Sequence, residues 1–397
     1  MKTLEIGEIT EKYNDYAIQM RRQFHRYPES AGQEFKTCRM ICEELQRMGL
    51  EPHIICDTGV TVDIGERSRS GHTACIRADI DGLQVQEETG ASYASEHEGY
   101  MHACGHDAHI AMALTAARIL KDREEELNGS VRVIFQPAEE TACGARQMIA
   151  AGALDQVDTI YGTHVWSGIP AGMFSAEAGS RMASADFFTI TIRGKGAHGS
   201  MPNKGIDPIA AAAAVIQNVQ VSFSREFSPL ETALVSFCQI HGGNTDNAIP
   251  DTVTIGGTTR AFLPRIRDQF PEIMNRVIRE TAAAFRAEAC LDYRLGASPL
   301  LNDKGASDRA IRAVRRLFGE DAVIEKPHDT GGEDFAEYLK MVPGVFVFLG
   351  IENPKEGSVY PNHSSHFAID ESILIKGAAA AVQYCLDFLE EGNDGIF

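Results

Sequence analysis

Side chains that commonly bind metal ions are concentrated between Met101 and His109, a segment with three histidines, one cysteine and one aspartate. Nitrogen, sulfur and carboxylate donors at this density are typical of a metal site. Cys104 and His106 are two positions apart, so they would diverge on a helix, where neighbours on one face are three or four apart. They could bind one ion from an irregular turn, and a helical pattern begins at about Ala108. The alternative, a buried cluster without metal, is disfavoured because burying many unpaired polar groups is costly.

Further candidate ligands follow predicted strands. In open α/β sheets, ligands bind beyond the carboxyl ends of the strands. The candidates are Asp79 and Asp81 after a strand at 73–78, Glu139 and Glu140 after 131–135, His164 after 158–163, and His363 and His366 after 345–350. Each signal is weak alone, since a lone histidine at a strand end is more often a core residue.

The adjacent carboxylates Glu139 and Glu140 allow two roles. In an extended or turning segment, neighbouring side chains point apart. One carboxylate could bind an ion while the other takes a proton from a metal-bound water. The pair could equally be the acidic start of a helix, where the dipole favours negative charge.

A second group of candidates lies farther along the chain. His198 follows a glycine-rich turn, Asn247 lies in a loop before Pro250, and Arg260 ends a strand. Histidine, asparagine and arginine could together hold an oxyanion and a substrate carboxylate. Loop histidines and asparagines are usually only turn formers, so each is weak by itself.

The order of strands and helices predicts an α/β fold in three parts. Residues 1–183 alternate strands and helices, as expected for a mainly parallel sheet. Residues 184–297 read strand–helix–strand–strand–helix–strand, a ferredoxin-like α+β insertion that includes a helix at 264–286. The α/β pattern resumes over 298–397, with a strand at 322–325 and a helix at 333–340.

Composition limits the function. The 397-residue chain has a formal net charge of −19, which argues against binding to nucleic acids or anionic membranes. We find no signal-peptide core near the N-terminus and no apolar run of about 18 residues. The nine cysteines are scattered. These features predict a cytoplasmic protein with reduced thiols.

Together, these motifs resemble the metal-dependent amidohydrolase and carboxypeptidase superfamily that contains the aminoacylases. The chain is most similar to its N-acyl-amino-acid amidohydrolase branch, which includes hippurate hydrolases and plant auxin-conjugate hydrolases. The resemblance covers nearly the whole chain. The motifs that carry it are His25-Arg26-Tyr27-Pro28-Glu29, Arg77 to Leu83, His102 to Asp107, Gln136 to Glu140, Gly196 to Gly199, Gly331 to Phe335, and His363 to Glu371.

The resemblance implies a site with two divalent metal ions, Mn or Zn in the first place, with Co or Ni also compatible. The implied ligands are Cys104, which would bridge the ions, with His106, Glu140, His164 and His363. Glu139 would be the general base, and Asp79 would support the ligands from behind. His198 would stabilise the oxyanion in the active site of a dimer partner, while Asn247 and Arg260 would seat the substrate carboxylate.

Two departures from the wider superfamily bear on the site. Arg77 stands where that superfamily has a ligand histidine, as this branch generally shows, so Cys104 and His106 would replace that ligand. Asn203 replaces a histidine that follows the lid motif in many members of the branch. The first change leaves the metal site intact, and the second concerns the substrate.

The implied function is hydrolysis of an amide bond in N-acyl amino acids or related small amidated molecules, by a homodimer or higher homo-oligomer. Residues 1–183 and 298–397 would form the catalytic domain, and residues 184–297 the lid and dimerisation domain. The alternatives are a dipeptidase, an aminopeptidase or a carbamoyl-amide hydrolase of the same superfamily. A metal-containing binding or scaffold protein would belong to a different class.

Overall fold

A computed structural model describes residues 4–391, and the chain divides into two compact units. The first unit contains the residues up to Gly179, then Leu301–Pro327, and the residues from Asp334 onward. The second contains Ser180–Leu300 and His328–Glu333. Each unit has its own cluster of buried apolar side chains. The catalytic and lid roles of the predicted domains, and their boundaries, stay a prediction.

The first run of elements builds most of the first unit. In chain order these are α1 (Ile6–His25), α2 (Phe35–Arg47), β1 (His53–Ile55), β2 (Gly59–Gly65), β3 (Thr73–Asp79), α3 (His106–Asp122), β4 (Ser130–Gln136), α4 (Gly144–Ala150), β5 (Thr159–Pro170) and β6 (Phe174–Ser175).

The next run forms the second unit, and a final run returns to the first. The second unit has β7 (Gly179–Met182), β8 (Ala185–Arg193), β9 (Ala197–His198), α5 (Pro208–Glu226), β10 (Ala233–His241), β11 (Ala248–Ile249), β12 (Thr252–Ala261), α6 (Pro264–Arg267), α7 (Phe270–Ala284) and β13 (Glu288–Ala297). After β14 (Leu300–Asn302) come α8 (Lys304–Phe318), α9 (Ala336–Leu339), β15 (Gly344–Glu352) and α10 (Ile373–Glu391).

The sheet of the first unit has the strand order β1-β2-β4-β3-β5-β15-β6. The central strands β4, β3, β5 and β15 are parallel, and the outer pairs are antiparallel. Helix α3 leads from β3 to β4, and α4 leads back past β3 to β5. This reversal opens a crevice at the carboxyl ends of β3 and β5, where ligands bind in such sheets. The predicted α/β fold is confirmed.

The second unit has a four-stranded antiparallel sheet of order β10-β12-β8-β13. With its two long helices α5 and α7, this is the predicted ferredoxin-like arrangement. Asp207 caps α5 by accepting from the backbone amides of Ile209 and Ala210, with Pro208 at the first helical position. The smooth alanine face of α5 packs on the sheet and on α7.

Three sequence expectations were wrong in detail. The helix expected over 264–286 is two helices, because Pro271 lacks an amide hydrogen and its ring would collide with the carbonyl of Arg267. The strand expected at 322–325 is reduced to a single bridge between Val323 and Phe174. The helix expected at 333–340 spans only Ala336–Leu339.

In the described residues, no helix is long and apolar enough to cross a membrane.

Candidate metal centre

The turn before α3 is shaped by Gly105. Its φ is +90°, a left-handed conformation that favours glycine, and an added Cβ would lie 2.3 Å from Cγ2 of Val165. Helix α3 therefore starts at His106, two residues earlier than the sequence indicated. The reversal of the chain at Gly105 lets Cys104 and His106 face the same space, as an irregular turn was expected to allow.

Backbone carbonyls fix the ring orientation of two histidines. Nδ1 of His106 lies 2.9 Å from the carbonyl oxygen of Asp81, and Nδ1 of His164 lies 2.7 Å from that of Val165. A carbonyl can only accept, so in both rings Nδ1 carries the donated hydrogen. When the ring is neutral, each Nε2 has a lone pair for a metal, which is the usual arrangement for histidine ligands.

Two sets of donor atoms meet at one sulfur atom. Cys104, His106 and His164 place their donor atoms within 4.8 Å of one another, and so do Cys104, Glu140 and His363. Sγ of Cys104 lies 3.4 Å from Nε2 of His164 and 3.3 Å from Nε2 of His363. A thiolate shared by two sets of ligands is suited to bridging two ions.

The spacing of these atoms fits divalent metal ions. A cation bound tetrahedrally at about 2.0–2.3 Å keeps two donor atoms about 3.3–3.8 Å apart. Oε1 of Glu140 lies 3.6 Å from Nε2 of His363, within this range, and 3.9 Å from Nε2 of His106, just above it. Both distances are too long for hydrogen bonds. Among the described residues, Oε1 of Glu140 and Nε2 of His106 have no hydrogen-bond partner although both are buried. Such atoms need a partner, and a cation would supply it.

The charges of the site also call for a cation. Burial, and then the charges of Glu140, Glu139 and Asp79, raise the pKa of the Cys104 thiol well above its ordinary value of 9.0. Burial raises the pKa of Glu140 to about 7 in spite of the opposing charge of His106. A bound divalent cation would favour the ionised form of both groups.

The loop after β4 carries Glu139 and Glu140 through a tight turn. Ala138 has a φ of +55°, and its carbonyl accepts from the amide of Gly144 at 3.2 Å. The amide of Glu140 donates to Oδ2 of Asp81 at 3.0 Å. Glu139 is buried, and a carboxylate oxygen of it lies within 4.8 Å of the donor atoms of His106 and Glu140. The two carboxylates thus lie side by side at the centre.

Asp79 lies at the end of β3, with its Oδ2 3.8 Å from Nε2 of His106. Its Oδ1 is 2.5 Å from Nδ1 of His109, whose Nε2 accepts from the amide of Val165 at 2.9 Å. His109 is thereby engaged on both sides and packs against the ring of His164. Although burial opposes its charge, His106, His109 and Arg77 hold the pKa of Asp79 well below its ordinary value.

Arg77 is tied into the interior beneath the centre. Its guanidinium donates to Asp79 at 2.6 Å, to Gln136 at 2.8 Å and to Asp334 at 3.0 Å. Arg77 therefore anchors the ends of β3 and β4. Asp334 also accepts from the amide of Ala145 at 2.9 Å, which ties α4 to the same network.

His363 reaches the centre and His366 does not. His363 has a φ of +70°, and its amide donates to the carbonyl of Ala103 at 2.8 Å. His366 is exposed and lies beside Ser365 and Glu88. Strand β5 extends to Pro170, so His164 lies inside the strand rather than after it, opposite Phe348 of β15.

Sequence reasoning missed Asn362. Its Oδ1 accepts from the amide of Ser167 at 3.1 Å, and its Nδ2 donates to the carbonyls of Cys104 and Val165, each at 3.3 Å. It connects three chain segments that carry candidate ligands. Its only sequence signal was its position next to His363.

The predicted oxyanion donor His198 and the two predicted substrate-binding residues, Asn247 and Arg260, lie in the second unit. The amide of Gly199 donates to the carbonyl of Asn247 at 2.7 Å, and His198 pairs with Ala248 across β9 and β11. Arg260 is near the far end of β12, eight residues beyond Thr252, or about 26 Å along the strand. Asn247 precedes the start of this strand, and the shared role of Asn247 and Arg260 stays a prediction.

A parallel-centred α/β sheet with thiolate, imidazole and carboxylate donors at its carboxyl edge defines a metal-dependent hydrolase of the metallopeptidase type. The comparisons agree: residues 75–387 match Peptidase family M20/M25/M40, and the chain belongs to this family. Its members act on amide bonds, as predicted.

The similarity to known proteins covers most of the length of the chain. An N-acetyl-L-cysteine deacetylase of Bacillus subtilis is 39% identical over 91% of this chain and 85% of its own length. The IAA-amino acid hydrolase ILR1-like 2 of Arabidopsis thaliana is 36% identical over 98% of this chain and 89% of its own length. The crystal structure of the Bacillus subtilis YXEP protein, a dinuclear metal binding peptidase from the M20 family, has a TM-score of 0.84 and 35% identity, covering 96% of this chain and 99% of that one.

Proposed function

We propose that this protein hydrolyses the amide bond of N-acyl amino acids, or of similar small amidated molecules, to a carboxylic acid and an amino acid. The observation that carries the proposal is the pair of ligand sets that share Cys104, with Glu139 beside them. The named activities of relatives support it, since an N-acetylcysteine and an IAA–amino acid conjugate both join an acyl group to an amino acid.

The proposed ligands are Cys104, His106, Glu140, His164 and His363, and the proposed ions are Mn or Zn, with Co or Ni also compatible with the mixed donor set. Two divalent cations there would supply Lewis acidity toward the scissile carbonyl and toward water. Asp79, through His109, would keep the ligands in place.

Glu139 would take the proton from the attacking water and pass it to the nitrogen of the leaving amine. Its carboxylate is buried beside the proposed ligands and belongs to neither of the two sets that contain Cys104. His198 would stabilise the oxyanion of the tetrahedral intermediate.

We propose that the protein works as a homodimer or a higher homo-oligomer. The positions of Asn247 and Arg260 support this. Asn247 comes before the start of β12 at Thr252, whereas Arg260 lies about 26 Å along that strand from Thr252, near its other end. His198, which lies next to Asn247, would then act in the active site of the second copy.

A cytoplasmic location is also part of the proposal. All nine cysteines are free thiols, which suits a reducing compartment. The alternatives of a dipeptidase, an aminopeptidase or a carbamoyl-amide hydrolase keep the same centre and differ in the group on the substrate nitrogen. One relative is named a thermostable carboxypeptidase, from Saccharolobus solfataricus, and is 35% identical over 94% of this chain. Its name is a reason to include peptides among the substrates tested.

The test is a hydrolysis assay of the purified protein supplied separately with Mn, Zn and Co. The substrates are matched N-acetyl, N-benzoyl, N-aminoacyl and N-carbamoyl derivatives of the same amino acids. We expect turnover of N-acyl substrates, and a fall of about 10²–10⁴-fold in the Glu139→Gln variant with its metal content unchanged. Turnover of only the aminoacyl or carbamoyl series would overturn the substrate class, and full activity of Glu139→Gln would overturn the assignment of the base.

A further inference from the structure

Glu34 is a buried carboxylate that the proposed reaction leaves without a role. Its side chain is 0% exposed, in the segment between α1 and α2. A carboxylate is costly to bury, and it persists where hydrogen bonds satisfy its oxygens. The groups that donate hydrogen bonds to this carboxylate therefore indicate which segments of the chain it holds in place.

The contacts of Glu34 reach the loop that carries Glu139. Oε1 accepts from the amide of Ala138 at 2.9 Å and from the amide of Gly32 at 2.8 Å, while Oε2 accepts from Oγ1 of Thr58 at 2.8 Å. One oxygen thus holds the residue before Glu139, and the other holds the turn between β1 and β2. The partner of the first oxygen lies 104 positions away in the chain.

The amide held by Glu34 belongs to a residue in a rare conformation. Ala138 has a φ of +55°, which a residue with a Cβ adopts only when its surroundings enforce it. The next anchored amide is that of Glu140, which donates to the buried carboxylate of Asp81 at 3.0 Å. Glu139 therefore lies between two backbone amides, each held by a buried carboxylate.

We infer that Glu34 is a positioning residue for Glu139: it binds the Ala138 amide and so keeps the chain in the turn that directs the Glu139 side chain to the reacting water. The carboxylate of Asp81 holds the other side of the turn through Oδ2, and its Oδ1 lies 3.2 Å from Nδ1 of His106. Without Glu34, Ala138 would relax toward negative φ, and Glu139 would move relative to ligands that stay in place. The inference rests on the proposed function, because Glu34 takes part in the reaction only if Glu139 is the base.

The competing explanation is that Glu34 merely joins the start of α2 to the turn at Thr58. The two explanations differ in which oxygen matters, so they can be separated. Thr58→Val removes the contact to Oε2 and leaves the contact to Ala138. Ala138→Gly removes the conformational strain, because glycine adopts positive φ without a penalty.

The experiment measures kcat, KM, bound metal and melting temperature for the metal-loaded full chain. We expect Glu34→Ala to lower kcat by about 10²-fold, as for a displaced catalytic group, with KM and metal content unchanged. Glu34→Gln, whose Oε1 can still accept from Ala138, should keep most of the activity, and so should Thr58→Val. Adding Ala138→Gly to Glu34→Ala should raise kcat about tenfold above that of Glu34→Ala alone.

A kcat near that of the wild type in Glu34→Ala, or an equal loss in Thr58→Val, would overturn the inference. So would a failure of Ala138→Gly to restore activity. If Glu34→Ala does not fold, Glu34→Asp gives the same test, since it keeps the charge but is one methylene too short to reach both partners. Full activity of Glu139→Gln would refute the proposed function itself, whereas an inactive Glu139→Gln with an active Glu34→Ala refutes only the role of Glu34.

Discussion

Sγ of Cys104 lies 3.3 Å from Nε2 of His363, although the two residues are 259 positions apart in the chain. The same sulfur lies 3.4 Å from Nε2 of His164. The sheet brings these atoms together because its parallel strands end at one edge, where three separate segments of the chain meet. The proposed metal centre depends on this meeting point, because no single segment carries all of its ligands.

The first prediction concerns Cys104. Because this sulfur belongs to both ligand sets, Cys104→Ala should weaken the binding of both ions and abolish turnover. Elemental analysis of the purified variant after dialysis against Mn or Zn measures the loss. Cys75→Ala is the matched control, since Cys75 is also buried, in β3, but belongs to none of the candidate ligand sets. Normal metal content in Cys104→Ala would contradict the shared thiolate.

The second prediction concerns Asn362, which touches the carbonyls of Cys104 and Val165 without binding metal itself. Its loss should free the ligand-bearing segments, so Asn362→Ala should lower metal affinity by about 10–100-fold. Competition with a chelator measures the affinity. Asn353→Ala is the control, because Asn353 makes a comparable hydrogen bond, to Asp370 at 2.7 Å, away from the ligands. Equal metal affinities in the two variants would show that Asn362 has no specific role in metal binding.

The third prediction concerns Gly105, where a positive φ and a close approach coincide. Gly99 has a similar φ of +78° but open space around it, so Gly99→Ala measures the conformational cost alone, about 1–2 kcal/mol. Gly105→Ala should cost about 1–3 kcal/mol more, because its Cβ would collide with Val165. Urea unfolding measures both free energies. Measured in a Val165→Ala background, which carries its own cost, Gly105→Ala should lose the excess over Gly99→Ala. Equal costs at the two glycines in the wild-type background would argue against the clash.

Particular residues show how far the sequence leads. The donors between Met101 and His109 were visible because ligand side chains are dense there, and helix α3 because its apolar pattern is long. The prediction of a strand at 322–325 was wrong because the pattern of so short an apolar run does not identify its secondary structure. Glu34 and Asn362 act through backbone groups far away in the chain, and no local spacing encodes such contacts.

The fourth prediction concerns pH and the buried group around His25, which lies 2.8 Å from Asp107 and 3.2 Å from Glu87. Burial opposes the charge of Glu87, but the hydrogen bond and charge of His25 lower the pKa of this carboxyl from 4.5 to about 2. A depressed folded-state pKa stabilises the fold above the unfolded value, and this contribution is lost as the pH falls from about 4.5 to about 2.

Chemical unfolding at a series of pH values tests this contribution. The free energy of unfolding of the wild type should exceed that of Glu87→Gln at pH 6, and the difference should shrink as the pH falls through this window. Glu98→Gln, an exposed change nearby, is the control and should differ little from the wild type throughout. A difference that stays constant from pH 6 to pH 3 would show that the His25 contact does not act through charge.

The number of metal ions bound per chain tests the central claim most directly. Metal-free protein is titrated with Mn or Zn, and bound metal and hydrolysis of an N-acetyl amino acid are measured at each step. The shared position of Cys104 predicts two ions per chain in the wild type and in Glu139→Gln, with activity only in the wild type. A plateau at one ion or none, or full activity of the wild type without added metal in the presence of a chelator, would contradict the proposed dinuclear centre.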